Sequence, residues 1–162
     1  MRALWLFSLT AVAVLAAAVA AGAVGSATPA AKRTSTLMTV MLHTTSNNIL
    51  HGGTTTPNSI TAKYASGDSQ YWHGEFRSRA GAVVGSENSA CFITTPDVGV
   101  CTSVDELPGG TIVHTGSSHT TALTLTTAIT GGTGRYRGAT GRVVFSWMSE
   151  SDARVDYHLS WR

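Results

Sequence analysis

Charge is scarce in this chain. Asp, Glu, Lys and Arg together make up 12% of the 162 residues, and the net charge is only +2. The basic residues are scattered, and no ladder of alternating aromatic and basic side chains is present to stack bases, which excludes a nucleic-acid partner. The one local basic pair, Arg135 and Arg137 around Tyr136, reads as two solvated side chains on a corner. Familiar catalytic signatures are missing as well. No Gly-x-Ser-x-Gly elbow occurs among the serines, which argues against an α/β-hydrolase nucleophile. No His-Glu-x-x-His occurs, and the six histidines (His43, His51, His73, His114, His119 and His158) lack ligand spacing; neither a metal nor a cofactor is expected. Beyond the N-terminal apolar run, no segment shows the 3.6-residue apolar period of a helix.

What is present is Thr, Gly, Ala and Val, a composition that suits pleated, half-buried strands. The length suits one domain. Residues 1–27 read as a signal peptide: Arg2 supplies a minimal positive start, 3–24 is almost wholly apolar, and Ala21-Gly22-Ala23 or Gly25-Ser26-Ala27 offers a cleavage site. The run also approaches the length that spans a bilayer, so an uncleaved N-terminal anchor on the outer face is the alternative to secretion, and the only route to a membrane. Residues 28–35 form a linker, and 36–162 the folded domain.

Within that domain turn signals separate eight apolar-alternating runs: 36–43, 69–77, 82–95 (kinked near 85–88), 100–107, 111–115, 120–130, 142–147 and 154–161. Between the first two, 44–67 dissolves into Asn, Gly and Thr, with a short strand possible at 59–64; a flap near one mouth is expected. In 69–77, Trp72 and Phe76 share one face, and Tyr71, His73 and Glu75 the other. In 154–161, Val155, Tyr157, Leu159 and Trp161 face together. Eight strands are the number at which an antiparallel sheet closes into a barrel that side chains fill or that holds one small ligand. The expected class is all-β, an eight-stranded antiparallel closed barrel, calycin-like. Cys91 and Cys101 straddle a turn at 96–99, and in an exported chain a disulfide is the simplest reading, with free thiols as the alternative.

Five glycines crowd residues 131–141: Gly131, Gly132, Gly134, Gly138 and Gly141 surround Tyr136 between two apolar runs. A dinucleotide or Walker loop would have to open a helix, but Arg142-Val143-Val144-Phe145 follows, so the glycines shape a corner between strands. Gly-Gly-Thr-Gly-Arg-Tyr-Arg-Gly-Ala-x-Gly resembles the signature of dirigent-like proteins and the wider allene oxide cyclase barrel group. Residues 81–85, Cys91-Phe92, Cys101 and 107–112 resemble, in that order, its small secreted bacterial members, and the likeness covers 67–161. It implies the same barrel, cofactor-free confinement of a reactive apolar substrate, and frequent trimers.

That resemblance frames the site. The expected ligand wall is Trp72, Phe76, Phe145, Trp147 and Tyr157, with Trp161 beside them, although aromatics at period two are more commonly plain core. Candidate polar groups are Glu75, Asp105, Glu106, His114 and Tyr157; a carboxylic acid or phenol held among aromatics would become a proton donor. The hairpin at 108–110 leaves their register open by one residue, which decides who points inward. Plant dirigents carry His-Asp at the end of the first strand; here His43 precedes Thr44, so no catalytic residue is carried over. The expectation is an exported barrel that binds a small apolar metabolite and steers its cyclisation or stereochemistry. A non-catalytic carrier or structural envelope module is the alternative, and whether the chain is an enzyme stays open.

Overall fold

The computed structural model describes residues 34–58, 63–119 and 122–161; the signal or anchor segment, its cleavage site and most of the expected 59–64 strand lie outside them. Nine strands form one antiparallel sheet: β1 (Thr34–His51), β2 (Thr54–Pro57), β3 (Ser69–Arg77), β4 (Val83–Thr95), β5 (Val98–Leu107), β6 (Gly110–His119), β7 (Thr124–Gly132), β8 (Thr140–Trp147) and β9 (Asp152–Trp161). β1 pairs with both β2 and β3, β3 to β9 pair in sequence order, and β1 also pairs with β9, from Thr34 against Trp161 to His43 against Asp152. That pairing closes β1 and β3–β9 into an eight-stranded barrel, removing the free edges that invite aggregation.

The first strand is twice as long as expected. Its start pairs with β9, its end pairs with β3 and the extra strand β2, and a bulge between Thr44 and Ser46 lets it bend from one task to the other. Residues 44–57, expected as a loop, are therefore mostly a strand and a hairpin.

Alternation decides the interior. Leu42, Phe76, Leu107, Ile112, Leu125, Ile129, Tyr136, Val143, Phe145, Val155, Tyr157 and Leu159 pack into one apolar cluster, and Trp72, Ile93 and the Cys91–Cys101 disulfide form a second. The two cysteines are register partners on β4 and β5, with Cα atoms 3.9 Å apart. The glycine corner contains a 3-10 turn, Gly134–Tyr136, packed on the β5–β6 hairpin through Arg135 N–H to the Gly109 carbonyl (2.8 Å) and Thr133 N–H to Thr111 O (2.9 Å). Gly134 has φ +56°, and a Cβ there would land on the Gly109 carbonyl, so only glycine lets the two turns meet. Tyr136 is buried beneath them, its hydroxyl donating to the Pro108 carbonyl (3.3 Å).

Candidate functional site

Inside a barrel whose walls are otherwise apolar, five strands turn polar side chains inward at one level. Glu87 and Ser89 come from β4, Ser103 and Asp105 from β5, His114 from β6, Thr127 from β7 and Tyr157 from β9; all are buried, and Glu87, Asp105, His114 and Tyr157 are fully inaccessible. The ladder sets Glu87 opposite Asp105, Ser89 opposite Ser103, and Ser103 opposite His114.

These groups form a connected network. His114 Nδ1 bonds Thr127 Oγ1 (2.9 Å), and its Nε2 bonds Asp105 Oδ2 (2.9 Å). The Tyr157 hydroxyl donates to the same Asp105 oxygen at 2.7 Å. The arrangement is satisfied when Thr127 donates to Nδ1 and Nε2–H donates to Asp105, giving the carboxylate two donors. Burial, then the charge and hydrogen bond of Asp105, push the Tyr157 phenol well above its ordinary range, so it remains a donor.

The other side of the network is unfinished. Both Glu87 oxygens and Asp105 Oδ1 are buried without a hydrogen-bond partner. Burial first, and the neighbouring Asp105 charge second, push the Glu87 carboxyl well above the usual carboxylate range. The Trp72 indole and the Ser103 hydroxyl oppose this to a lesser extent, and neither closes a hydrogen bond to Glu87. Two carboxyls side by side, one of them with its pKa raised, is the arrangement by which paired carboxyls divide acid and base roles. Glu87, Asp105 and His114 are also the group that could hold a divalent metal ion, one donor atom from each lying within 4.8 Å of the others. His114 already has both ring nitrogens engaged, so such an ion would have to displace Asp105 from Nε2 or Thr127 from Nδ1.

Above this layer the barrel opens into a cavity of about 890 Å³. The β1 bulge, Asn58, Tyr64 and Gln70 form one wall; Ile93, Leu125 and the disulfide form part of the others; Trp147 and the β8–β9 loop close the rim. Asn58 donates to Asn47 Oδ1 (3.2 Å) and Tyr64 OH (2.9 Å), and Gln70 donates to Asn47 (3.0 Å), so the amides hold one another in place. Thr44 N–H bonds the Ser151 carbonyl (2.7 Å), tying the β8–β9 loop to the bulge. Trp72 belongs to both levels: it lines the cavity and faces Glu87. A hollow on the outer face, over Tyr71, Phe92 and Val100, contains no comparable grouping of acids and bases.

Of the polar groups expected from sequence, Asp105, His114 and Tyr157 come together in the network. Glu75 and Glu106 do not. Glu75 lies on the outer face, bonded to Arg77 at 3.1 Å, and Glu106 is exposed, accepting from Ser86 at 3.4 Å; each is the outward neighbour of an inward residue. Of the aromatics, Trp72 and Trp147 line the cavity, whereas Phe76, Phe145 and Tyr157 belong to the packed core, which Trp161 joins from its margin. Sequence reasoning missed Glu87, because Gly85 and Asn88 around it suggested a kink. The kink exists, but one step earlier: β3 and β4 slip register between Phe76 and Arg77, opposite Gly85 and Val83. Counting back by twos from Cys91 leads inward to Glu87.

No family model matches the chain, and neither does any curated protein. Solved structures do. A pyocyanin demethylase superposes with a TM-score of 0.65 at 24% identity, over 76% of this chain and 99% of its own. AbnU, an exo-specific intermolecular Diels-Alderase, gives 0.65 at 13% identity over 80% and 98%. The pterocarpan synthase dirigent protein GePTS1 gives 0.58 at 16% over 80% and 90%. The fold is that of the dirigent and cyclase barrels. Within this dirigent-like barrel the glycine corner seals one end, and the cavity opens away from it.

Proposed function

We propose that this dirigent-like barrel is exported, encloses a small apolar metabolite in its open end, and steers the cyclisation or stereochemistry of that molecule using its own residues. The observation that carries the reading is a cavity lined by Trp72, whose indole lies toward the buried, unpartnered Glu87 carboxyl in the layer beneath. Aromatic and aliphatic walls exclude water and fix the conformation of a bound molecule, which is catalysis by orientation. Glu87 then donates a proton to the bound molecule, and Asp105, held by His114 and Tyr157, stabilises the positive charge that develops or takes a proton back. Solved barrels of this shape include proteins named for cycloaddition, demethylation and pterocarpan synthesis, which supports a shared use of the enclosed space. The apolar N-terminal segment and the disulfide support export. Exposed Tyr71, Phe92, Val100 and Val104 on the outer face of β3–β5 support the expectation of self-association, which sedimentation velocity would check.

The test begins with native mass spectrometry of the protein from its producing culture, to find a retained small molecule. The recovered compound is then incubated with wild type and with Glu87→Gln, and the products are resolved by chiral chromatography. The reading expects wild type to bias the product and Glu87→Gln to lose that bias. Binding without conversion by either protein would leave a carrier in its place, and no binding at all would leave a structural module.

A further inference from the structure

The chain is net basic, yet its interior is acidic. Every described Lys and Arg lies exposed or half-buried. The buried acids are Asp68, Glu87 and Asp105, and His114 is the one buried basic side chain among the described residues; Asp68 is partnered by His51 and the Ala65 N–H. The cavity lining repeats the pattern: among the described residues it contains Glu150 and no Lys or Arg, and His119 and Tyr64 are its other ionisable groups. Buried charges are ordinarily paired, but Asp105 Oδ1 and both Glu87 oxygens have no donor. On the cavity side, Asn58 Oδ1 is a further buried acceptor without a partner, and Tyr64, Trp72 and Trp147 supply aromatic surface that attracts positive charge.

We propose that the cavity selects a flat, conjugated ring system bearing a delocalised positive charge, and disfavours a carboxylate of the same shape. The inference rests on the reading of the cavity as a ligand site. A delocalised cation fits for three reasons. It is weakly hydrated and so reaches the aromatic part of the cavity at small desolvation cost, unlike a compact ammonium. It meets aromatic surface and unpartnered acceptors on the way in. It also brings positive charge into a barrel whose buried Asp105 has His114, but no Lys or Arg, beside it. A carboxylate would meet no Lys or Arg among the described lining residues and would face Glu150 at the rim. The Trp72 indole N–H, which has no partner, gives the same ligand one donor, so a ring carbonyl or ring nitrogen on the inward edge completes the match.

The experiment compares three probes on one ring: N-methylacridinium, acridine and acridine carboxylate, titrated above neutral pH with the quenching of tryptophan fluorescence as the signal. The expected order is cation, then neutral ring, then carboxylate, the cation exceeding the carboxylate by about tenfold. Glu150→Gln should lower affinity for the cation a few-fold and leave that for acridine unchanged. A carboxylate that binds as tightly as the cation overturns the charge preference while leaving the ligand site intact. An affinity for the cation that Glu150→Gln leaves unaltered, together with equal affinity for acridine, overturns it as well. If none of the three probes binds, the ligand-site reading falls and this inference falls with it.

Discussion

Replacing Glu87 with Gln isolates the proton that the barrel interior holds. The native carboxyl is fully buried, and its pKa stands well above the ordinary 4.5 because of burial and the Asp105 charge. A group whose native pKa is raised contributes its full stability below the unfolded pKa and loses it as pH rises toward the native value. Between those limits the native protein binds one more proton than the unfolded chain, so stability falls by about 1.4 kcal/mol per pH unit. Each such unit is a sizeable share of the roughly 5–15 kcal/mol typical of a domain. Gln cannot ionise, so the variant lacks this fall. Urea unfolding of both proteins, at steps from about pH 4.5 upward, should give curves that run in parallel at the acid end and then diverge, the variant becoming relatively more stable. Titrating groups remote from Glu87 cancel in the difference, including Asp152, whose pKa is lowered chiefly by His43 and which acts at more acid pH. A difference that stays flat across the window would refute a proton-holding Glu87, and with it the donor assigned to the reaction.

Three further outcomes follow from the packing. Replacing Cys91 and Cys101 together with Ala should cost about 2–3 kcal/mol, since the bridge spans ten residues; thermal unfolding under non-reducing conditions checks it, and an unchanged midpoint would show the bond adds nothing. Gly134→Ala should cost about 1–3 kcal/mol, because its φ of +56° and the nearby Gly109 carbonyl both oppose a side chain; denaturant melts measure it against Gly138→Ala, whose φ of +72° carries no such contact. Phe145→Ala should cost about 3–5 kcal/mol as a fully buried ring, whereas Trp147→Ala, at the cavity rim, should weaken probe binding more than it lowers stability.

Much of the barrel was legible because most strands obey a period of two without interruption. In β9, Val155, Tyr157 and Leu159 are all buried, as their alternation with Arg154, Asp156, His158 and Ser160 implies. The signal failed at β1 for a physical reason. Its second half faces the wet mouth, so Asn47 serves as an inward residue there, and the bulge at Thr44–Ser46 breaks the period. The Thr54–Pro57 strand also escaped notice. It pairs only with β1, and Pro57 is tolerated because an edge strand leaves one row of backbone groups unpaired.

The site was partly legible, and the cysteines held more information than was taken from them. A disulfide between register partners points both side chains to one face, which fixes the parity of two strands at once. Counting by twos from Cys91 puts Ser89 and Glu87 inside; counting from Cys101 puts Ser103 and Asp105 inside and Glu106 outside. The two-residue Pro108–Gly109 turn pairs Leu107 with Gly110, and the same register carries His114 inward opposite Ser103. What no count supplies is the reason for the result. Glu87 and Asp105 stand directly opposite each other in a dry interior, where burying two acidic side chains is costly and an apolar pair would pack better. A chain with only nine acidic residues that commits two of them to such a position gives up stability there. That loss is understandable where the pair handles protons or faces a positively charged guest, and packing alone offers no account of it.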